Sequence, residues 1–250
     1  MEFKCFLRAL FFNIVMGKCF LTIIIRSVNI NMYKIIILLI FTTAISSCIS
    51  QTPGDAAMRS CHAKQAGDLY EQYAIQQKDL LATIKLARMY NYGVTVDHCN
   101  VKDKTGFDQN KQKAIYWYKK ASEYGDVVAN WNIGTIYKKG EMNVKQDFAK
   151  AEKWFLKGAK MVHHNAMYDL ADMHANNEVP ISNDIEGLKW LNIVQTLAKS
   201  YDKDNEYAQF ILKDEDRIRE KLESRMKDFQ INKARALSEA FIKQYNAKHK

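Results

Sequence analysis

The chain has 250 residues, 48% of them hydrophobic, which is enough for a sizeable core; two prolines and ten glycines leave few helix breakers. Net charge is +9, yet five Lys/Arg against one acid precede Cys48, so the remainder holds 32 basic and 27 acidic residues. A surplus of five spread along the chain is an ordinary solvated surface, which argues against nucleic-acid binding.

The N-terminal segment carries an address. Met32-Tyr33-Lys34 is a short basic start, Ile35 to Ala44 an apolar run, and Ile45-Ser46-Ser47-Cys48 follows. An apolar run of about ten residues is too short to span a bilayer and fits a signal-peptide core. Its ending resembles the lipobox of bacterial lipoproteins. That resemblance implies cleavage before Cys48, a diacylglycerol on its sulfur and an acyl group on its new amine. Ile49 after the cysteine then points to the outer membrane, periplasmic side. The competing reading is a plain cleaved signal with an incidental cysteine. Residues 1–31 lie upstream of an already complete signal and read as a start placed too early or as an extra apolar segment. Residues 32–47 are thus the signal peptide. Residues 48–60, with Gln51-Thr52-Pro53-Gly54-Asp55, read as a tether.

Beyond it the chain repeats itself. Trp117 in KAIYWYKKA, Trp154 in KAEKWFLKGA and Trp190 in EGLKWLNIV are spaced by 37 and 36 residues. A fixed period in that range marks stacked helix pairs. Tyr70, Ala74 and Asp79 stand 47 residues before Trp117, Ala121 and Asp126, with the extra ten residues in a loop, Val94 to Phe107. The partner helices align through Ala82/Leu86/Ala87, Ala129/Ile133/Gly134 and Ala166/Leu170/Ala171, one apolar stripe each. Gly93, Gly140 and Asn177 are stop residues suited to the left-handed conformation. Asn110, Asp147 and Asn183 sit seven residues before their Trp, where an N-cap belongs. The tryptophans are expected to fill the space between paired helices.

The pattern A-x-x-x-L-G-x-x-Y-x-x-G followed by D-x-x-x-A-x-x-W-Y-x-x-A-x-x-x-G resembles the Sel-1-like repeat family, relatives of the tetratricopeptide repeats. The resemblance covers residues 61–200, with three full repeats and a leading half. It implies an all-α fold, an α/α solenoid of helix pairs. Val162 stands where the family has Gly, His174 where it has Tyr, and Asn177 where it has Gly. Residues 201–250 read as C-terminal capping helices; the second places Phe229, Ile231, Ala234, Leu237, Ala240 and Phe241 on one face.

Few groups suggest chemistry. Cys61 opens the first Trp-type helix and Cys99 lies in the loop after its partner, at the same end of an antiparallel pair, so a disulfide is expected in an oxidising compartment. With His62 and His98 they also make a Cys/His set that zinc accepts, although adjacent C-H pairs lack the usual spacers. His163-His164 fall at a turn and read as exposed. Asp172 and His174 are two apart on a helix and face different ways. No nucleophile elbow or phosphate loop is present. No catalytic residue, metal or cofactor is expected.

The remaining candidates lie on the Ala/Leu-type helices. Ile84, Trp131 and Tyr168 read as inter-repeat packing. The variable polar set Lys85, Asn132, Asp169 and Arg88, Thr135, Asp172 runs from basic to acidic. Arg88, Trp131, Asn132, Thr135, Lys138, Asp169 and Asp172 are therefore the candidate partner-binding residues. The expected function is an envelope lipoprotein, held by its N-terminal lipid, that binds a protein partner as scaffold or adaptor. An immunity protein against a toxin delivered to the periplasm is the alternative. A β-lactam-binding or hydrolysing enzyme is carried as another class, because cysteine-rich relatives suggest it; the regular cysteine pairs of those relatives are missing here.

Overall fold

The computed structural model describes residues 52–97, 99, 105–199 and 206–248. The expectations for residues 1–51, Cys48 included, and for His98 lie outside the described residues. The helices are α1 (Pro53–Arg59), α2 (Ala63–Gln76), α3 (Leu80–Tyr92), α4 (Lys111–Glu123), α5 (Val127–Lys139), α6 (Phe148–Lys160), α7 (His164–Ala175), α8 (Asp184–Ala198), α9 (Glu206–Glu223) and α10 (Asp228–Lys248). From α1 to α9 each packs on its chain neighbours, as expected of a helical solenoid.

Local chemistry sets the boundaries. Asn110, Asp147 and Asn183 accept from the Lys113, Lys150 and Glu186 amides at 3.0, 2.9 and 3.2 Å, capping α4, α6 and α8. Asp79 and Asp126 cap α3 and α5 in the same way, through Ala82 and Ala129. The returns into α3, α5 and α7 turn on positive-φ residues, Lys78, Gly125 and Val162. At the other end Gly140 adopts the left-handed conformation and Asn177 has φ 55°. The turn at Val162 therefore keeps the geometry of its glycine-containing counterpart, and a β-branched residue bears the strain.

The core lies between the two helix types and gathers in two clusters. One runs from Ala57 to Val144, the other from Ala151 to Ala234; Tyr137 packs against both. At Gly134 the two helices α5 and α6 approach closely, since a Cβ there would meet the Phe155 ring at 2.5 Å. Trp117 and Trp190 are buried as expected, but Trp154 is only half-buried. The next residue is the deeper one in each repeat: Tyr118, Phe155 and Leu191 are all at most 1% exposed. The interhelical space belongs to that pair of positions; in α6 Phe155 is fully buried in the second cluster while half-buried Trp154 packs against the first.

Two segments differ from expectation. Residues 52–60 are not an extended tether, because Thr52 and Asp55 form a capping box that starts α1. Asp55 also accepts from Tyr70 Oη at 2.6 Å and pairs with Lys85 Nζ at 2.5 Å, so α1 is docked on α2 and α3. In α10 the inward line is Ile231, Ala234, Ser238, Phe241 and Ile242, packed along α8. Phe229 is 66% exposed on the far side, and Leu237, 38% exposed, lies at the edge of that line. At 100° per residue Phe229 falls about 160° from Ile231, whereas Leu237 falls only about 60° from Ala234.

The long loop is anchored as well. Val94 and Phe107 exchange backbone hydrogen bonds, Ala63 N–H donates to Thr105, and Cys61 and Cys99 form a disulfide. Phe107 lies against Gly67 of α2 and packs edge-on with Tyr90 at 4.8 Å between centroids. Closing a 38-residue separation stabilises by about 4 kcal/mol in the chain-entropy argument.

Candidate protein-interaction surface

The polar positions expected to face a partner sit on α3, α5 and α7, and the structure brings four of them together. Trp131 Nε1 donates to Asp169 Oδ2 at 2.7 Å. Lys138 Nζ reaches Asp169 Oδ1 at 3.1 Å and Asp172 Oδ2 at 3.2 Å. Arg217 of α9 then bonds Asp172 at 3.1 Å and Asp214 at 2.7 Å, and Asp214 accepts from Tyr168 Oη. The chain of contacts links α5 to α7 and α7 to α9.

Electrostatics follow from this geometry. Burial opposes charge on Lys138, but Asp169 and Asp172 outweigh it and raise its pKa. The Arg217 hydrogen bond, against some burial, lowers the Asp214 carboxyl to about 2. These four residues are consequently internal struts between repeats, and the acidic end of the supposed charge gradient is neutralised within the fold.

The other three divide. Thr135 cannot contact a partner through its hydroxyl, which is buried with no hydrogen-bond partner among the described residues. Asn132 is half-buried and donates to the Val128 carbonyl at 3.1 Å. Arg88 is exposed on α3. Lys85 is taken by Asp55. Ile84, Trp131 and Tyr168 pack between repeats, as their size suggests.

The histidines are structural too. His163 and His164 are half-buried, not exposed. His163 Nδ1 accepts from the Ala166 amide at 3.3 Å, so it caps α7 where Asp126 caps α5, and its ring stacks on Trp131 at 5.8 Å. Burial and the neighbouring His164 lower its pKa to about 4, with Asp169 opposing. His174 is buried, and its Nδ1 accepts from the Asn183 amide at 3.2 Å. The zinc arrangement is excluded in this state, since the Cys61 and Cys99 sulfurs are bonded to each other.

Sequence reasoning missed Asp214 and Arg217, whose i,i+3 spacing on a charged helix was the available signal. It also missed the lysines of α4 and α6, read there only as a solvated surface.

Paired helices stacked in series, with Trp131, Lys138, Asp169 and Asp172 joining successive repeats, define an α/α helical-repeat fold. The pattern of the Sel1 repeat matches residues 80–126, 127–163 and 164–193. Repeats of this kind mediate protein–protein contacts and are typically non-catalytic. Among solved structures, the chain is similar to a Sel1 repeat protein from Oxalobacter formigenes, at 22% identity and TM-score 0.42, over 62% of this chain and 64% of that one. It is also similar to c5321, a protective antigen present in uropathogenic Escherichia coli strains displaying an SLR fold. There identity is 20% and TM-score 0.37, over 82% of this chain and 49% of that one. Both matches span less than two thirds of the relative's length. No curated protein matches the chain.

Proposed function

We propose that this protein is an outer-membrane lipoprotein, anchored through Cys48 and facing the periplasm, that acts by binding another protein as a scaffold or adaptor. The observation that carries the binding role is the unbroken stacking of α1 to α9, which builds an extended surface. The Cys61–Cys99 disulfide supports an oxidising compartment. Affinity capture from a native envelope with the full chain tests the binding role. A reproducible stoichiometric protein partner is expected, and none in any detergent or salt condition defeats it. For the anchor, Cys48→Ala is expected to release the protein from membranes; continued membrane fractionation counts against lipidation.

A further inference from the structure

We infer that the groove between α4 and α6 docks an acidic, extended segment of a partner protein. The inference rests on the protein-binding reading above and assigns that reading its surface.

The four helices α2, α4, α6 and α8 occupy equivalent places in successive repeats, so a solvated face would give them comparable charge. They differ sharply. Helices α2 and α8 each hold one lysine and two acids, whereas α4 and α6 each hold four lysines and one acid. Lys113, Lys119, Lys153, Lys157 and Lys160 form no ion pair among the described residues. Unlike the struts on α5 and α7, these charges are unspent.

Two of them meet over a groove, whereas Lys113 lies over the Tyr90 ring of α3 at 5.1 Å. Lys119 from α4 and Lys157 from α6 lie over the Trp154 ring, at 5.9 and 5.2 Å from its centroid, and Lys157 crosses to Ser122 Oγ at 2.7 Å. Tyr116, 54% exposed, projects from the same helix. At the other end of the two helices a cleft of about 490 Å³ opens, lined by Ile115, Val144 and Tyr137 with Gln112, Lys145 and the Asp147–Lys150 ion pair. The groove thus offers cations along one stretch and a partly apolar recess at its end. Each helix has 13 residues, about 20 Å at 1.5 Å per residue. An extended peptide covers that length with about six residues at roughly 3.3 Å each.

Charge complementarity alone admits any polyanion, and two observations select a polypeptide. The disulfide belongs to an oxidising compartment, away from nucleic acid. The recess accommodates a side chain, whereas a plane of lipid headgroups would leave it empty. An apolar or aromatic residue flanked by aspartates and glutamates fits both ends of the groove.

The test uses the full chain reconstituted in phosphatidylcholine vesicles and a fluorescein-labelled peptide of about eight glutamates with one central leucine. Anisotropy is expected to rise on binding and to fall with added salt, as for exposed charges. The double variant Lys119→Glu/Lys157→Glu should weaken binding by about tenfold or more, and Lys113→Glu/Lys153→Glu, which changes exposed charge on the same two helices, by less, with helical circular dichroism retained in both. Lys64→Glu on α2 should leave it unchanged. Absence of peptide binding overturns the inference, as does equal loss in Lys64→Glu or no loss in both double variants. Displacement by phosphatidylglycerol vesicles or single-stranded DNA at lower concentration than by unlabelled peptide also overturns it. An envelope partner captured equally by wild type and both double variants defeats the groove while leaving the protein-binding reading intact; no capture by any form defeats the reading itself.

Discussion

The Trp131 indole donates its N–H to Asp169 across the gap between α5 and α7, at 2.7 Å. One residue therefore packs a repeat and fixes its angle to the next. Trp131→Phe keeps most of the apolar contact and removes the hydrogen bond. Because the acceptor is charged, the expected cost is about 1–2 kcal/mol in urea unfolding. An equal shift for Trp131→Phe in an Asp169→Ala background, where no acceptor remains, would show that the two act independently and refute the strut.

The disulfide gives a second prediction. Cys61→Ser/Cys99→Ser should lower stability by up to about 4 kcal/mol. It should also open the Val94–Phe107 loop to proteolysis before the helices, which circular dichroism and timed digestion would follow. An unchanged unfolding midpoint would mean the backbone pairing of Val94 with Phe107 suffices to hold that loop.

Thr135 provides a test in the opposite direction. Its hydroxyl is buried and unbonded, so Thr135→Val exchanges an unsatisfied polar atom for a methyl of similar shape. Stability should rise by about 1 kcal/mol. A loss would indicate that the hydroxyl finds a partner, such as a bound water.

Lys78, exposed with φ 51°, and half-buried Val162, with φ 64°, stand where the central repeat has Gly125. Lys78→Gly removes the steric penalty without exposing a core, and should stabilise by about 1 kcal/mol. Val162→Gly should gain less, because its side chain packs on the second cluster. Thermal unfolding of both variants ranks them.

Acid should weaken the fold earlier than its carboxylates alone would dictate. His163, His164 and His174 all have lowered pKa values, first through burial, and His163 reaches about 4. A histidine held neutral in the fold protonates first in the unfolded chain. Its contribution is therefore complete above about pH 6.5 and lost as pH falls toward 4. His163→Asn keeps a cap for α7 and deletes one titration, so unfolding midpoints across that range should flatten. An unaltered slope would assign the effect to the other two.

What could be read from the sequence was periodic and local. The tryptophan spacing is a period of 36 to 37 residues, while the caps at Asn110, Asp147 and Asn183 and the stop at Gly140 depend on residues within a turn or two, and the structure places each as read. The T-P-G-D capping box of α1 was equally local; its composition read as a tether instead. The polar set on α5 and α7 was a different matter. Arg217 meets Asp172 from 45 residues away, on a helix where the repeat has faded, and no spacing rule reaches that far. Trp154 shows the limit of alignment: it occupies its column, yet Phe155 next to it takes the space.

The disulfide has a mechanical consequence. A load applied at the N-terminal end and borne through the helices would peel the stack from α1 onward. The crosslink removes the 38-residue span between Cys61 and Cys99 from the force path, about 130 Å of contour at roughly 3.4 Å per residue. Tension then passes from α1 directly to the loop beside α4, so α2 and α3 would stay short under a pull that stretches their neighbours. Reduction would convert the same segment from a stiff link into slack.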